Sequence, residues 1–304
     1  LSEPRRDKRN LVIQGNSINA ATSCMQGWRV DMQDSNYMRI PVDPRYPDIS
    51  FFGIYDGHGG PRVARFAAEF LHRYLIEQDS FVSRNYKQAL ADAFSEFDQH
   101  LSDEYGLDLQ MQGSTATICL ICPETILCAN VGDSSAIASV NGKIVELTKD
   151  HKPEDVEEAT RIWAAGGYIT SGRVNGNLAM SRAFGDFCYK RNLQKDYFDQ
   201  IVSPLPNVFE LSAKQPELEF IVLATDGIWE VMSFQDVLTF VQERIDLKLS
   251  LVEICEQLMD RCLAEDANEC MTGCDNMTVT IISFLHESPT TQAPLNNTDE
   301  QTQS

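Results

Sequence analysis

Three aspartates in this chain share one setting. Asp56 follows Ile54-Tyr55, Asp226 follows Leu223-Ala224-Thr225, and Asp275 precedes Asn276-Met277-Thr278-Val279. Each stands at the edge of an apolar, strand-like run, and strand ends hold side chains more firmly than loops do. Gly57 and Gly227 follow two of them, which permits a sharp turn with a carbonyl left free to point inward. Hard oxygen ligands, with no matching set of thiols or imidazoles, select Mg or Mn over Zn or Cu. Two such ions about 3.5–4 Å apart can share and activate one water, a chemistry suited to phosphate esters. A single Asp-Gly is more simply an ordinary turn; two at strand ends, with Asp275-Asn276, tilt the reading toward a metal site. His58 comes next in Asp56-Gly57-His58-Gly59-Gly60 and can face that site. Its ordinary pKa, close to neutrality, suits donation of a proton to a departing alkoxide, although a histidine in such a turn often only bonds to backbone. Arg29, close to Asp31 and Asp34, reads either as a structural ion pair or as a two-pronged grip on a phosphoryl group.

The elements that must position these residues alternate in type. Phe51–Tyr55 is a short apolar run ending at Asp56, and apolar residues recur at helical spacing over Val63–Ile76 and Ala89–Leu101. Ala116–Cys122, Ile126–Val131 and Ala136–Val140 read as strands, and Asn141-Gly142 predicts a tight hairpin turn. Val174-Asn175-Gly176-Asn177 repeats that turn signal. Phe220–Ala224 is a buried strand, Val237–Ile245 and Leu251–Leu263 are helical, and Met277–Leu285 is a closing strand. Hairpin-linked strands and paired helices in blocks predict an α+β layered fold with antiparallel sheets; a doubly wound parallel sheet fits less well.

Composition narrows the class. The 304 residues hold 43% hydrophobic and 23% charged side chains, ordinary for a globular protein of one large or two small domains. A net charge of −20 argues against nucleic acid and anionic lipid as partners. No run approaches the ~20 apolar residues that span a bilayer, and the charged start is no secretory signal. The chain begins at Leu1 rather than Met, which leaves room for a preceding segment with targeting information. Residues 1–10 form a polar, basic segment expected to fray, with a nuclear-import patch as the other reading; residues 287–304 read as a disordered tail. Nine cysteines, including the spacings Cys119/Cys122 and Cys270/Cys274, fit reduced thiols in an intracellular protein better than a metal or disulfide set. The sequons at Asn276 and Asn296 carry no weight in that setting.

Read in order, the chain resembles the type 2C, metal-dependent serine/threonine protein phosphatases. The runs that carry the likeness start with Ser23-Cys24-Met25-Gln26-Gly27-Trp28-Arg29, Met32-Gln33-Asp34 and Tyr55-Asp56-Gly57-His58-Gly59-Gly60. Gly113-Ser114-Thr115-Ala116, Asn130-Val131-Gly132-Asp133-Ser134 and Leu178 to Asp186 follow, then Ala224-Thr225-Asp226-Gly227-Ile228-Trp229 and Asp275-Asn276-Met277-Thr278. The resemblance covers roughly residues 15–286. It implies a four-layer α-β-β-α sandwich, two antiparallel sheets flanked by helix pairs, with a metal cleft at one end. It implies a catalytic domain over 11–286 that acts as a monomer on phosphoproteins, in cytoplasmic or nuclear signalling. In that picture Asp56 bridges two Mg or Mn ions, the Gly57 carbonyl joins one, and Asp226 and Asp275 hold the other. A bridging hydroxide attacks phosphorus directly, Arg29 grips the phosphate and His58 protonates the leaving serine or threonine. Asp133 is linked to a weaker third ion, and residues 172–206, with Arg173, form a mobile substrate flap.

Two positions depart from the family pattern. Gln33-Asp34 stands where Glu-Asp is usual, so Gln33 can bond to a metal-bound water but adds no charge beside Asp34; Glu230 stands where an aspartate is common and bears on the third-metal site. A pseudophosphatase scaffold is the competing reading, disfavoured because Asp56, Asp226, Asp275, His58 and Arg29 are all present. A haloacid-type phosphoaspartyl hydrolase needs Asp-x-Asp at a strand end, which Asp56-Gly57-His58 lacks.

Overall fold

The structure, a computed structural model, describes residues 1–15, 17–267 and 272–285. The tail at 287–304, His286, Asn296 and Cys270 of the Cys270/Cys274 spacing lie outside the described residues. The chain opens with β1 (Arg5–Gln14), β2 (Ile18–Gly27), β3 (Ser35–Arg39), β4 (Ser50–Tyr55) and the two-residue β5 (Gly57–His58). Helices α1 (Arg62–Glu77), α2 (Asp79–Val82) and α3 (Tyr86–Tyr105) follow. Next come β6 (Gly113–Ser114), β7 (Ala116–Ile121), β8 (Thr125–Val131), β9 (Ser135–Val140) and β10 (Lys143–Glu146). Helix α4 (Val156–Ala164) leads into β11 (Ile169–Thr170), β12 (Arg173–Val174) and β13 (Phe184–Gly185). The chain then forms β14 (Asn207–Ser212), β15 (Leu218–Ala224), α5 (Asp226–Trp229), α6 (Phe234–Asp246), α7 (Leu251–Cys262) and β16 (Met277–Phe284).

Two antiparallel sheets carry the fold, ordered β1-β2-β16-β15-β9-β10 and β14-β8-β7-β4-β3. Their inner faces meet in one core that includes Phe52, Ile54, Cys119, Cys128, Ile221 and Leu223. The outer face of the second sheet packs on α1 and α3 through Val63, Leu71, Phe94 and Phe97. Helices α6 and α7 cover the first through Val237, Val241, Ile254 and Leu258. This is the four-layer α+β sandwich implied by the sequence.

Strand period explains the division. In β15, Ile221 and Leu223 face the inner core while Phe220, Val222 and Ala224 face the helices. Leu218 breaks the parity and joins the inner core, because a bulge shifts the register between it and Phe220. Asn141 and Gly142 have φ of 52° and 69°, so the β9–β10 turn has both central residues left-handed, as the Asn-Gly pair predicts.

One expectation is corrected. Residues 5–10, expected to fray, form the first half of β1, and the domain boundary expected at residue 10 falls inside that strand. The strand is exposed along most of its length, so the apolar pattern could not announce it. It holds through backbone pairing with β2, from Asn10↔Ser23 back to Lys8↔Met25. Two side-chain contacts reach across to α7: Lys8 Nζ lies 2.7 Å from Asp260, and the Asn10 amide donates to Glu256 at 2.6 Å.

Candidate active site

Strand register carries the site residues to one end of the sandwich. Ser35 pairs with Tyr55, Ala116 with Val131, Ala224 with both Val279 and Ser135, and Met277 with Met25. The chain beyond each of these strand ends therefore emerges at the same edge. That edge receives Arg29, Gln33 and Asp34, Asp56, Asp133, Asp226, Glu230, Asp275 and Asn276. Sequence distance is irrelevant to this convergence; antiparallel pairing decides it.

Backbone contacts then tighten the loops. The Asp56 amide donates to Thr115 Oγ1 at 3.0 Å, and the Thr115 amide donates back to the Asp56 carbonyl at 2.9 Å. Asn276 is the hub of the opposite loops. Its amide group donates to the carbonyls of Gln26 (2.8 Å) and Asp31 (3.1 Å), and its Oδ1 accepts from the Gln33 amide (2.8 Å). A side chain so engaged is no glycosylation site in the folded protein. Gly57 is required by close approach: a Cβ there would lie 2.5 Å from the Gln33 carbonyl oxygen.

The carboxylates crowd one another. Asp34 is buried, accepting from Thr278 (2.8 Å) and Thr225 (3.1 Å). Burial pushes it up to about 7; the Thr278 and Thr225 hydroxyls resist while Asp275 adds to the push. Burial also drives Asp56 well above the ordinary carboxylate range, reinforced by Asp34, Asp226, Asp275 and Asp133. Asp226 is pushed up to about 8, first by burial and then by Asp133, Asp275 and Glu230. Glu230 is raised by burial and by the same two aspartates. Asp226 Oδ1 and Asp133 Oδ1 are buried with no hydrogen-bond partner. Buried acceptors of this kind, among carboxylates that repel one another, are suited to a cation or a proton.

Some carboxylates have found other partners. Arg29 pairs with Asp275, so the residue expected to grip phosphate holds an expected metal ligand instead. Lys152 Nζ lies 2.6 Å from Asp133 Oδ2. Among the described residues, no three acidic, histidine or cysteine side chains converge in ready ligand geometry.

His58 is placed by a residue whose part the sequence did not reveal. Its Nε2 lies 2.5 Å from Asp186 Oδ2, while its Nδ1 is buried without a partner. Burial works against protonation of the imidazole, but the Asp186 carboxylate outweighs it and raises the pKa. Asp186 adopts φ 52°, ψ 42°, a left-handed conformation costly for a non-glycine residue. The pair needs a glycine beside it: a Cβ on Gly113 would lie 2.2 Å from Asp186 Oδ2 and 2.4 Å from His58 Nε2. The Asp186 signal lay only in the run Phe184-Gly185-Asp186, with 128 positions between the partners.

Beneath it lies a buried ion pair. Asp98, on α3, accepts from the Gly185 amide (2.7 Å), Lys190 Nζ (2.6 Å) and the Tyr197 hydroxyl (2.6 Å). The segment expected as a flap packs on α4, with Val174, Leu178, Met180 and Val202 around Ile162. Its anchor is Glu158, bonded to Arg182 (2.6 Å) and Arg161 (2.7 Å). Arg173 is exposed and donates to the Asn177 carbonyl (2.7 Å); among the described residues it forms no ion pair with the site carboxylates.

A layered antiparallel sandwich with aspartates crowded at one end, beside an aspartate-held histidine, defines the class of fold and site. Residues 18–271 match the family model described as protein phosphatase 2C. A probable protein phosphatase 2C of Caenorhabditis elegans is 43% identical over 96% of this chain and 82% of its own length. Protein phosphatase 2C homolog 2 of Schizosaccharomyces pombe is 42% identical, over 94% and 78%. A serine-threonine phosphatase 2C structure from Toxoplasma gondii superposes with a TM-score of 0.78 at 21% identity, covering 92% of this chain and 99% of that one; it speaks for the fold. The chain belongs to the protein phosphatase 2C family, enzymes that are metal-dependent serine/threonine protein phosphatases. Among the described residues no helix is long and apolar enough to cross a membrane.

Proposed function

We propose that the cleft hydrolyses phosphoserine and phosphothreonine in proteins, using two Mg or Mn ions. The observation that carries this reading is the set of buried aspartates with unpartnered oxygens at one sandwich end. Asp56, the Gly57 carbonyl, Asp226 and Asp275 would hold the ions, with Asp133 and Glu230 serving a weaker third. When bound, these ions would supply Lewis acidity toward the phosphoryl group and an activated water as nucleophile. Asp34 would orient the surrounding loops from below, accepting from Thr225 and Thr278. Arg29 would leave Asp275 to grip the phosphate, and residues 172–206 with Arg173 would serve as the substrate flap. His58 would give a proton to the leaving alkoxide, with Asp186 fixing Nε2 and so leaving Nδ1 for that task. The test is Mn-dependent turnover of a phosphopeptide by clean protein. Tight phosphopeptide binding without turnover would favour a pseudophosphatase scaffold instead.

Asp186→Asn is expected to expose the histidine's part through leaving-group dependence. General acid catalysis contributes about 10²–10⁴-fold, so loss of the orienting carboxylate should cost roughly tenfold or more in kcat on a phosphopeptide. p-Nitrophenyl phosphate, whose leaving group needs no proton, should lose far less. Equal losses on both substrates would remove Asp186 from that role.

Gln33→Glu is expected to restore a charge beside the site and tighten metal binding. Outer-shell partners of a metal commonly change affinity about 10–100-fold. The Mn concentration for half-maximal activity should therefore fall by roughly tenfold or more; an unchanged Mn response refutes the idea.

A further inference from the structure

A groove of about 910 Å³ opens on the flank of the sandwich, between the outer sheet strands and α1. Arg9 of β1, Arg39 of β3, and Arg65 and Arg73 of α1 line it. All four are exposed, and among the described residues none of them forms an ion pair. Carboxylates of the described residues therefore leave these four charges unneutralised, and Arg73 rests over the Phe70 ring, 5.4 Å from its centroid. Asp31, Asp34 and Glu69 also reach the groove, but none pairs with these arginines. Asp34 is turned inward to Thr225 and Thr278, and Glu69 lies one helical turn from both Arg65 and Arg73. His72 lies buried at the groove, held down to about 4 by burial and then by the charges of Arg73 and Arg39. Two arginines from different elements thus project a positive field into the same recess.

We propose that this groove docks an acidic segment of a partner protein, an extended run of aspartates and glutamates gripped by these arginines. Guanidinium forks match carboxylates with paired hydrogen bonds, and Arg is the side chain suited to that geometry. Charge over the whole molecule selects the kind of partner. A net charge of −20 repels a broad polyanionic surface such as an acidic membrane, but at physiological salt that repulsion is screened within about 8–10 Å. A short chain segment entering a recess meets the local arginines instead. This assignment holds whatever the acidic cleft catalyses.

The experiment is fluorescence anisotropy of a labelled oligoglutamate peptide with the full chain and with the double variant Arg39→Glu/Arg73→Glu. Wild type is expected to bind it, more weakly as salt rises, and the variant at least about tenfold more weakly because like charges across a contact are strongly disfavoured. Turnover of p-nitrophenyl phosphate by the variant should match wild type, which shows that its fold is intact and tests the phosphatase reading separately. No binding to wild type, binding unchanged in the variant, or equal binding of a glycine-serine peptide overturns the proposal. So does co-sedimentation with phosphatidylserine vesicles that needs the two arginines when the peptide does not bind, since it assigns the groove to lipid.

Discussion

Asp56→Asn is expected to abolish Mn-dependent turnover and at the same time to raise the melting temperature of the metal-free protein. The activity loss should reach about 10³-fold or more, since a catalytic ion supplies several kcal/mol and each ~1.4 kcal/mol is a factor of ten. The stability gain follows from burial and from Asp34, Asp226, Asp275 and Asp133, all of which oppose a charge at this position. Each 1 kcal/mol relieved in a chain of this size is worth roughly 2–4 °C. Thermal melts with and without Mn check both halves: the variant should melt higher without metal and gain little from adding it. A variant that melts lower in the metal-free state would show that Asp56 is not strained there.

The same crowding sets a pH dependence. In the folded protein Asp34 and Asp226 keep their protons up to about 7 and about 8, while ordinary carboxylates release theirs near pH ~4. Between those limits the folded state holds more protons than the unfolded one, so stability falls as pH rises through this window. Metal-free protein should therefore be less stable at pH 8 than at pH 6, and added Mn should stabilise it most at the higher pH.

Lys190→Met is expected to be the most destabilising of these substitutions. The ammonium group is 1% exposed and its partner Asp98 is 0% exposed, so the variant leaves a carboxylate buried without its cation. Breaking a buried pair from one side costs about 3–5 kcal/mol. Tyr197 and the Gly185 amide still donate to Asp98 and soften the loss, but neither supplies a charge. Urea melts should show the drop, and the double variant Asp98→Leu/Lys190→Met should recover part of it. Because Gly185 precedes Asp186, kcat on a phosphopeptide should fall with stability in the single variant. A urea midpoint unchanged from wild type would show that Asp98 is neutralised in some other way.

Much of the architecture is legible in the chain because it depends on local pattern. Phe51–Tyr55 and Phe220–Ala224 are apolar on every residue and so must be buried on both faces, which is how β4 and β15 sit between helices and the partner sheet. Asn141-Gly142 specifies its own turn. β1 and α4 escaped notice for the opposite reason. β1 is an exposed polar strand held by pairing, and α4 buries only Glu158, Ala159 and Ile162, with Glu158 held by arginines rather than by apolar contact.

The sequence by itself determined which carboxylates stand at strand ends beside glycines, since that arrangement is written within a few residues of each. Tertiary structure alone decided what each meets. Sheet order and register bring Asp275 against Arg29, Thr225 and Thr278 onto Asp34, and Asp186 against His58, across 246, 191, 244 and 128 positions. No local pattern encodes such pairings, because they depend on how two sheets close over one core.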